Sequence, residues 1–141
     1  MKVSDIMVRD PIMVDPDAPC GQLAKLMRDN GIGSVVIVEN RKPVGIVTER
    51  DLVHRVMAEE KIPDECKAFD ICSKPVVAIT IHGDVDTAVD IMNEYSIRRL
   101  VVVDENDFVV GMLTTDDLAK NLREMSEELA VKYYILSERK R

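Results

Sequence analysis

The pattern Gly-x-x-Thr-x-x-Asp-Leu occurs twice in this chain, as Gly45-Ile46-Val47-Thr48-Glu49-Arg50-Asp51-Leu52 and as Gly111-Met112-Leu113-Thr114-Thr115-Asp116-Asp117-Leu118. Each copy follows a short apolar run and precedes an amphipathic one. That is a strand running into a helix, with Thr at the junction. A Thr hydroxyl and an Asp carboxylate three positions later share one side of the first helical turn, where backbone N–H groups have no intrahelical partners. Two ligand chemistries fit such a place. A carboxylate accepts hydrogen bonds from a vicinal diol such as that of a ribose, and a hydroxyl beside free N–H groups suits a phosphate. Thr-x-x-Asp is also nearly a capping box, so one isolated copy reads first as a helix start. Two copies at matching places, each after Gly and two apolar residues, favour a site, and capping is compatible with binding.

The repeat extends beyond this motif. Asp5-Ile6-Met7 matches Asp70-Ile71-Cys72, Leu26-Met27 matches Ile91-Met92, and Ile32 to Val38 matches Ile97 to Val103, all at an offset of 65. Gly45 matches Gly111 at 66, because the turn before it gains one residue. A duplicated fold is the reading. In each copy a short strand (from Pro11 to Val14, or Pro75 to Ile81) is followed by a turn at Asp15-Pro16-Asp17 or His82-Gly83-Asp84. A helix follows, with Leu23, Leu26 and Met27, or Val85, Val89 and Met92, on its apolar face, and Asp84 is expected to cap the second. Next come a buried β-branched run (Val35 to Val38, or Leu100 to Val103) and a polar hairpin turn at Glu39-Asn40-Arg41-Lys42 or Asp104-Glu105-Asn106-Asp107. The third strand (Val44 to Val47, or Phe108 to Leu113) leads into the helix that opens at Thr48 or Thr114. The order per copy is β-α-β-β-α, an α+β fold.

A unit of about 60 residues buries too little surface to be comfortable alone. The joining segment, Met57 to Lys67 with Pro63 inside it, is short and charged, with no Gly/Ser linker. The halves are therefore expected to pack sheet to sheet with pseudo-twofold symmetry, helices outside, instead of swinging freely. The expected domains are residues 1–62, 63–122 and a helical extension over 123–141. In that extension Leu118, Leu122, Met125, Leu129, Tyr133 and Leu136 form one stripe, read as a single continuous helix of about 20 residues. Glu138-Arg139-Lys140-Arg141 places basic charge at its C-terminus. The stripe and the outer helix faces leave apolar surface that favours a twofold homodimer.

With 46% apolar and 32% charged residues the chain is globular and soluble, and its net charge of −7 argues against a general nucleic-acid binder. No apolar run approaches the roughly 20 residues of a membrane span, and the N-terminus shows no signal-peptide pattern. Cys20, Cys66 and Cys72, odd in number, fit neither a disulfide framework nor a zinc site and read as thiols in a reducing cytoplasm. His54 and His82 have no partners for a triad or a metal set, and the methionines read as core filler. No nucleophile–base pairing, P-loop or Rossmann glycine pattern occurs, and Asp116-Asp117 are not on one helix face. No intrinsic catalysis is expected.

These residues resemble a tandem pair of CBS domains, a Bateman module, over about Val3 to Leu122. The doubled β-α-β-β-α unit, the Gly-x-x-Thr-x-x-Asp motif and Asp5-Ile6-Met7 followed by Pro11 carry the likeness. Arg98-Arg99-Leu100-Val101-Val102-Val103-Asp104 is similar to the corresponding strand of the AMP-activated kinase gamma subunit. The resemblance implies a cleft between the copies that binds AMP, ADP, ATP or S-adenosylmethionine. The motif Asp would hold the ribose, the Thr would lie near ribose or phosphate, and the adenine would rest on strand starts. In the kinase subunit each motif works with strands of the other copy. Carried over, Thr48 and Asp51 work with Lys74, Pro75, Val76, Val77, Ile97 and Arg98. Thr114 and Asp117 work with Asp10, Pro11, Ile12, Ile32, Gly33 and Ser34. Arg98 and Arg99 alternate on their strand, so at most one easily reaches a given phosphate. Arg50, Lys74 and, under the crossed arrangement, one of Arg98 or Arg99 add positive charge to the first site, whereas Asp116 and Asp10 flank the second, so AMP or ADP is expected to prefer the first; without the crossing Arg98 and Arg99 move to the second site and the ranking could invert. The implied role is a regulatory, energy-sensing module acting on a separate partner protein. The alternatives are a sensor of S-adenosylmethionine or another adenosine compound, and a ligand-free interaction module.

Overall fold

The computed structural model describes residues 1–139; Lys140 and Arg141, two of the basic residues read at the end of the terminal helix, lie outside the described residues. In chain order the elements are α1 (Val3–Ile6), β1 (Val8–Arg9), β2 (Met13–Val14), α2 (Cys20–Asn30), β3 (Ser34–Glu39), β4 (Lys42–Thr48) and α3 (Glu49–Leu52). Then follow α4 (Ala68–Ile71), β5 (Ala78–Thr80), α5 (Val85–Tyr95), β6 (Arg99–Val103), β7 (Val109–Thr114), α6 (Thr115–Lys120) and α7 (Glu127–Ser137). A π-helical turn, Val53–Met57, continues α3, and short 3₁₀ turns occupy Pro63–Glu65 and Leu122–Glu124. Each repeat has the expected order, β2-α2-β3-β4-α3 and β5-α5-β6-β7-α6.

The chain folds as two compact units. One is Pro11–Val76; the other joins Met1–Asp10 to the chain from Val77 onward. The first holds a sheet in the order β2-β3-β4, and the second a sheet in the order β1-β7-β6-β5. In both the first strand of the repeat pairs parallel with the second and the second antiparallel with the third. The registers repeat as well: Met13 faces Val36 as Ala78 faces Val101. β3 and β6 are the buried strands, because Val, Ile and Leu on both faces can only be satisfied by apolar cover. Leu23, Val35, Ile37, Val47 and Ile71 centre one core, and Val85, Val89, Met92, Leu100, Leu113 and Leu118 the other.

The extra residue before Gly111 lies in the second hairpin. Asn40 and Arg41 make a two-residue turn between Glu39 and Lys42, both with positive φ (51° and 66°), as a hairpin matched to strand twist requires. The second hairpin is longer. The Asp104 carboxylate accepts the N–H groups of Asn106 (2.9 Å) and Phe108 (3.0 Å), and Asp107 takes the positive φ of 64°.

The repeats exchange their leading segments. β1, from the first repeat, pairs antiparallel with β7 of the second, with Val8 facing Met112. Ser73, which leads the second repeat, pairs antiparallel with Ile46 of the first. The two pairings are the same pairing in the repeat, since Val8 matches Ser73 and Ile46 matches Met112. This explains the motif glycines. A Cβ on Gly111 would lie 2.6 Å from the Met7 sulfur and 3.0 Å from the Val8 carbonyl oxygen. A Cβ on Gly45 would lie 2.6 Å from the Cys72 sulfur. The Asp-Ile-Met7 and Asp-Ile-Cys72 segments thus carry the sulfur side chains that cross the glycines of the opposite repeat.

Two expectations need correction. The stripe from Leu118 to Leu136 is not one helix. α6 stops at Lys120, where the Asn121 side-chain amide donates back to the Asp117 carbonyl at 2.8 Å. Helix restarts only at α7, where the Ser126 hydroxyl accepts the Leu129 N–H at 3.2 Å. Leu129 and Leu136 are buried in the unit's own core, with Met125 and Tyr133 packed against it. Lys132 fastens α7 to α5 through Asp86 (2.6 Å) and Asp90 (3.0 Å). The apolar face left uncovered is the other one: Val131, Tyr134 and Ile135. The second correction is Asp84. It occupies the N-cap position of α5 without a side-chain cap; its carboxylate meets Lys2 Nζ at 3.1 Å, and the Met1 carbonyl accepts the Val85 N–H at 3.0 Å. The N-terminal segment supplies the cap that Asp84 was expected to give.

The glycine contact generates a stability test. Overpacking a tight site costs about 1–3 kcal/mol. Gly111→Ala should fall in that range by urea unfolding, because Met7 can yield but the Val8 backbone cannot. Met7→Ala in the same chain should recover only part of the loss.

Candidate functional site

Each motif sits where the third strand of its repeat ends and a helix begins. β4 delivers Thr48 in an extended conformation (φ −110°, ψ 166°), and the chain turns helical at the next residue. The Thr48 hydroxyl accepts the Asp51 N–H at 3.2 Å. In return Asp51 Oδ2 accepts the Thr48 N–H at 2.9 Å and the Thr48 hydroxyl at 3.2 Å. Thr114 and Asp117 reproduce the arrangement at 3.3, 2.8 and 3.0 Å. Both motifs are full capping boxes, which is why a carboxylate only 6% exposed is tolerated in each. The neighbouring strand closes the junction the same way twice: Gly33 C=O accepts the Glu49 N–H, and Arg98 C=O accepts the Thr115 N–H, each at 3.0 Å.

The two carboxylates differ in what else reaches them. Asp51 Oδ1 accepts the Ser73 hydroxyl at 3.2 Å and faces Arg55 Nε at 3.7 Å. The Arg55 guanidinium also donates to the carbonyls of Ile71 (3.3 Å) and Cys72 (2.9 Å), so it ties the π-helical turn to the end of α4. At the matching places of the second repeat stand Val8 and Asn121, and among the described residues the bonds to the Asp117 carboxylate all come from Thr114. The Asp51 motif is thus a cationic, hydroxyl-lined junction, and the Asp117 motif is a capping box beside exposed Asp116.

Of the residues named from the sequence, Thr48, Arg50, Asp51, Lys74, Pro75 and Val76 lie in one unit with Pro11, Ile12, Ile32, Gly33 and Ser34. Thr114, Asp117 and Asp10 lie in the other with Val77, Ile97, Arg98 and Arg99. The exchanged leading segments therefore bring Lys74 to Val76 into the unit of Thr48 and Asp51, and Asp10 into that of Thr114 and Asp117. Lys74, whose bond to Pro75 is cis, holds its ammonium 3.7 Å from the centre of the Phe69 ring. Arg50 is exposed. Arg98 turns its guanidinium to the C-terminal end of α7, donating to the carbonyls of Arg139 (2.8 Å) and Ser137 (3.5 Å). Ser34 faces Thr48 and Arg99 faces Thr114 across their strand pairs. Ile12 and Ile32 pack on one core, Val77 and Ile97 on the other.

Sequence reasoning missed Arg55 and Ser73. Arg55 had a readable signal, a cation four residues after Asp51 on the same helix face. Ser73 had none, since only the exchange of leading segments brings it to Asp51. Among the described residues no three His, Cys, Asp or Glu side chains gather into a metal-binding group, and no helix is long and apolar enough to cross a membrane.

Comparison with known proteins agrees with this geometry. The sequence model of the CBS domain matches twice, over residues 3–58 and 68–124. An uncharacterized protein of Methanopyrus kandleri is 43% identical over 119 residues; the match covers 84% of this chain and 61% of that protein's length. A CBS domain protein of Pyrobaculum aerophilum complexed with AMP superposes with a TM-score of 0.79 at 25% identity, covering 96% of this chain and 99% of that one. The CBS domain pair of protein MJ0100, in complex with 5′-methylthioadenosine and S-adenosyl-L-methionine, superposes with a TM-score of 0.77 at 28% identity, covering 86% and 99%. Two matches at the two repeats, with the strand and helix order that such pairs share, lead to one conclusion: the chain belongs to the CBS domain family, as a pair of CBS repeats.

Proposed function

We propose that this chain is a regulatory module that binds an adenine nucleotide, AMP, ADP or ATP, at the Thr48/Asp51 motif and thereby alters the surface it offers to a partner protein. The observation that carries the reading is the doubled Thr–Asp capping box, which places an acceptor carboxylate and a hydroxyl at one strand–helix junction. Relatives of the same fold in complex with AMP and with S-adenosyl-L-methionine support an adenosine ligand. A ligand shifts a conformational equilibrium only by the difference in its affinity for the two states, so the regulatory output is a change in partner binding. The module carries no chemistry of its own in this reading.

Charge ranks the motifs. Arg50, Arg55 and Lys74 share a unit with Asp51; Asp117 is accompanied by Asp116 and Asp10, by Arg99 opposite Thr114, and by Arg98, whose guanidinium is engaged on α7. A hydrogen bond to a charged group contributes about 1.5–3 kcal/mol, which is about tenfold or more in affinity. In calorimetric titration with AMP, Asp51→Ala should weaken binding at least tenfold and Asp117→Ala much less. Both substitutions remove a capping box, and Asp51→Ala also releases Ser73 and Arg55, so unfolding of each variant is measured beside the titration to separate the ligand from the helix start. A larger loss from Asp117→Ala overturns the ranking. Binding of S-adenosylmethionine or methylthioadenosine in preference to AMP replaces the energy-sensing reading with the neutral-adenosine one. No binding of any of them leaves a ligand-free interaction module.

The module acts as a homodimer in this proposal. Val131, Tyr134 and Ile135 form an exposed apolar stripe on α7, at 55, 63 and 53% of their full exposure, and such stripes mark interfaces. Truncation after Leu122 would strip Leu129 and Leu136 from the core, so point substitutions are the cleaner test. Tyr134→Glu with Ile135→Glu should convert a sedimenting dimer to monomer without changing the circular dichroism; unchanged sedimentation removes α7 from the interface.

A further inference from the structure

Cys20, Cys66 and Cys72 are buried free thiols, and two of them face each other. Pro19 and Lys67 form an antiparallel bridge. It is flanked by hydrogen bonds from Cys20 N–H to Cys66 C=O and from Ala68 N–H to Ala18 C=O, both 2.8 Å. One step along this ladder Cys20 stands directly opposite Cys66. Only the Cys20 N–H bond joins the two backbones here, since the Cys66 N–H donates to the Pro63 carbonyl at 3.4 Å; antiparallel neighbours hold their Cα atoms about 4.5–5.5 Å apart, inside the span a disulfide requires. Cys20 opens α2 and Cys66 precedes the bridged Lys67, and both side chains enter one core cluster. Cys72 has a different partner, the Phe69 carbonyl at 3.3 Å.

We propose that Cys20 and Cys66 are a thiol-modification site that closes to an intramolecular disulfide by exchange with a small disulfide such as oxidised glutathione. Cys66, at 6% exposure against 1% for Cys20, reacts first. Its thiolate attacks one sulfur of oxidised glutathione, forms the mixed disulfide and expels one glutathione thiolate. The Cys20 thiolate then attacks the Cys66 sulfur and expels the second. Two protein thiols are oxidised, one glutathione disulfide is reduced, and the two protons lost by the cysteines end on the two glutathione thiolates. Burial, and next the Cys66 thiol, push the Cys20 thiol up to about 12, so the second step is the slow one. Closure strands no buried polar group. It ties the first turn of α2 to the residue two positions before α4, at the root of the segment that brings Ser73 to Asp51. The disulfide itself rests on the Cys20–Cys66 register and not on the adenosine reading, so the two stand or fall separately.

The test incubates the whole chain with oxidised glutathione, then unfolds it and alkylates the remaining thiols. The reduced chain takes one alkyl group on each of its three cysteines. The oxidised chain should lose two of these groups, remain a single chain on a non-reducing gel, and yield a peptide pair joining Cys20 to Cys66. Cys72→Ala should still lose both, whereas Cys66→Ala should form no bridge. The wild-type peptide map decides the pairing even where a cysteine variant fails to fold. A persistent single glutathione adduct, a bridge that includes Cys72, a bridge between chains, or undiminished alkylation overturns the proposal.

Discussion

The structure depends on a buried carboxylate at each strand–helix junction. Asp51 and Asp117 are nearly shielded from water, and a carboxylate in that position is costly unless donors surround it. The motif supplies the donors locally: the Thr backbone N–H and hydroxyl serve the carboxylate, and the Asp N–H is served by the hydroxyl in return. Everything else at the junction is arranged around that box. The preceding glycine must be bare, because the exchanged leading segment crosses it. The neighbouring strand must begin opposite the Thr, so that the carbonyl of the residue just before it meets the next free N–H of the helix. One motif therefore fixes a strand end, a helix start and the path of a segment that belongs to the other repeat.

Duplication gives two such junctions, and divergence has made them unequal. In the first, Ser73 and Arg55 add donors to Asp51 from a distant segment and from the next turn of helix. In the second, Val8 and Asn121 occupy those places, and Asn121 spends its amide on ending α6. Where the first repeat has Arg55, Asn121 donates to the Asp117 carbonyl as α6 ends, and α7 restarts and folds back on α5. Arg98 and Arg139 complete that return: Arg98 donates to the last carbonyls of α7, and Arg139 donates to Asn93 C=O (2.6 Å) and the Ser96 hydroxyl (2.7 Å) at the end of α5. In the second unit Arg98, Lys132 and Arg139 hold the terminal helix, while the first keeps Arg50 and Lys74 at its surface.

The terminal helix shows how a sequence pattern can be right about burial and wrong about shape. Leu129 and Leu136 lie on the inward side, as their spacing from Leu118 indicated. A stripe at helical spacing, however, survives a break of a few residues when the chain re-enters helix in phase, and neither Asn121 nor Ser126 is a strong breaker. Their hydrogen bonds decide the break, and those depend on where the helix lies against α5.

The sequence by itself determined the duplication, the β-α-β-β-α order, the capping Thr–Asp pairs and the longer second hairpin. Each of these rests on interactions within three or four residues or on the period of apolar positions, and both are written directly in the chain. Only tertiary structure decided which segment closes each junction, that Ser73 reaches Asp51, that Cys20 stands opposite Cys66 and that α7 turns its Val131–Ile135 face outward. Those contacts join residues far apart in sequence. Their partners are selected by which apolar faces must be covered together, and a one-dimensional pattern records that a face is apolar but not what covers it.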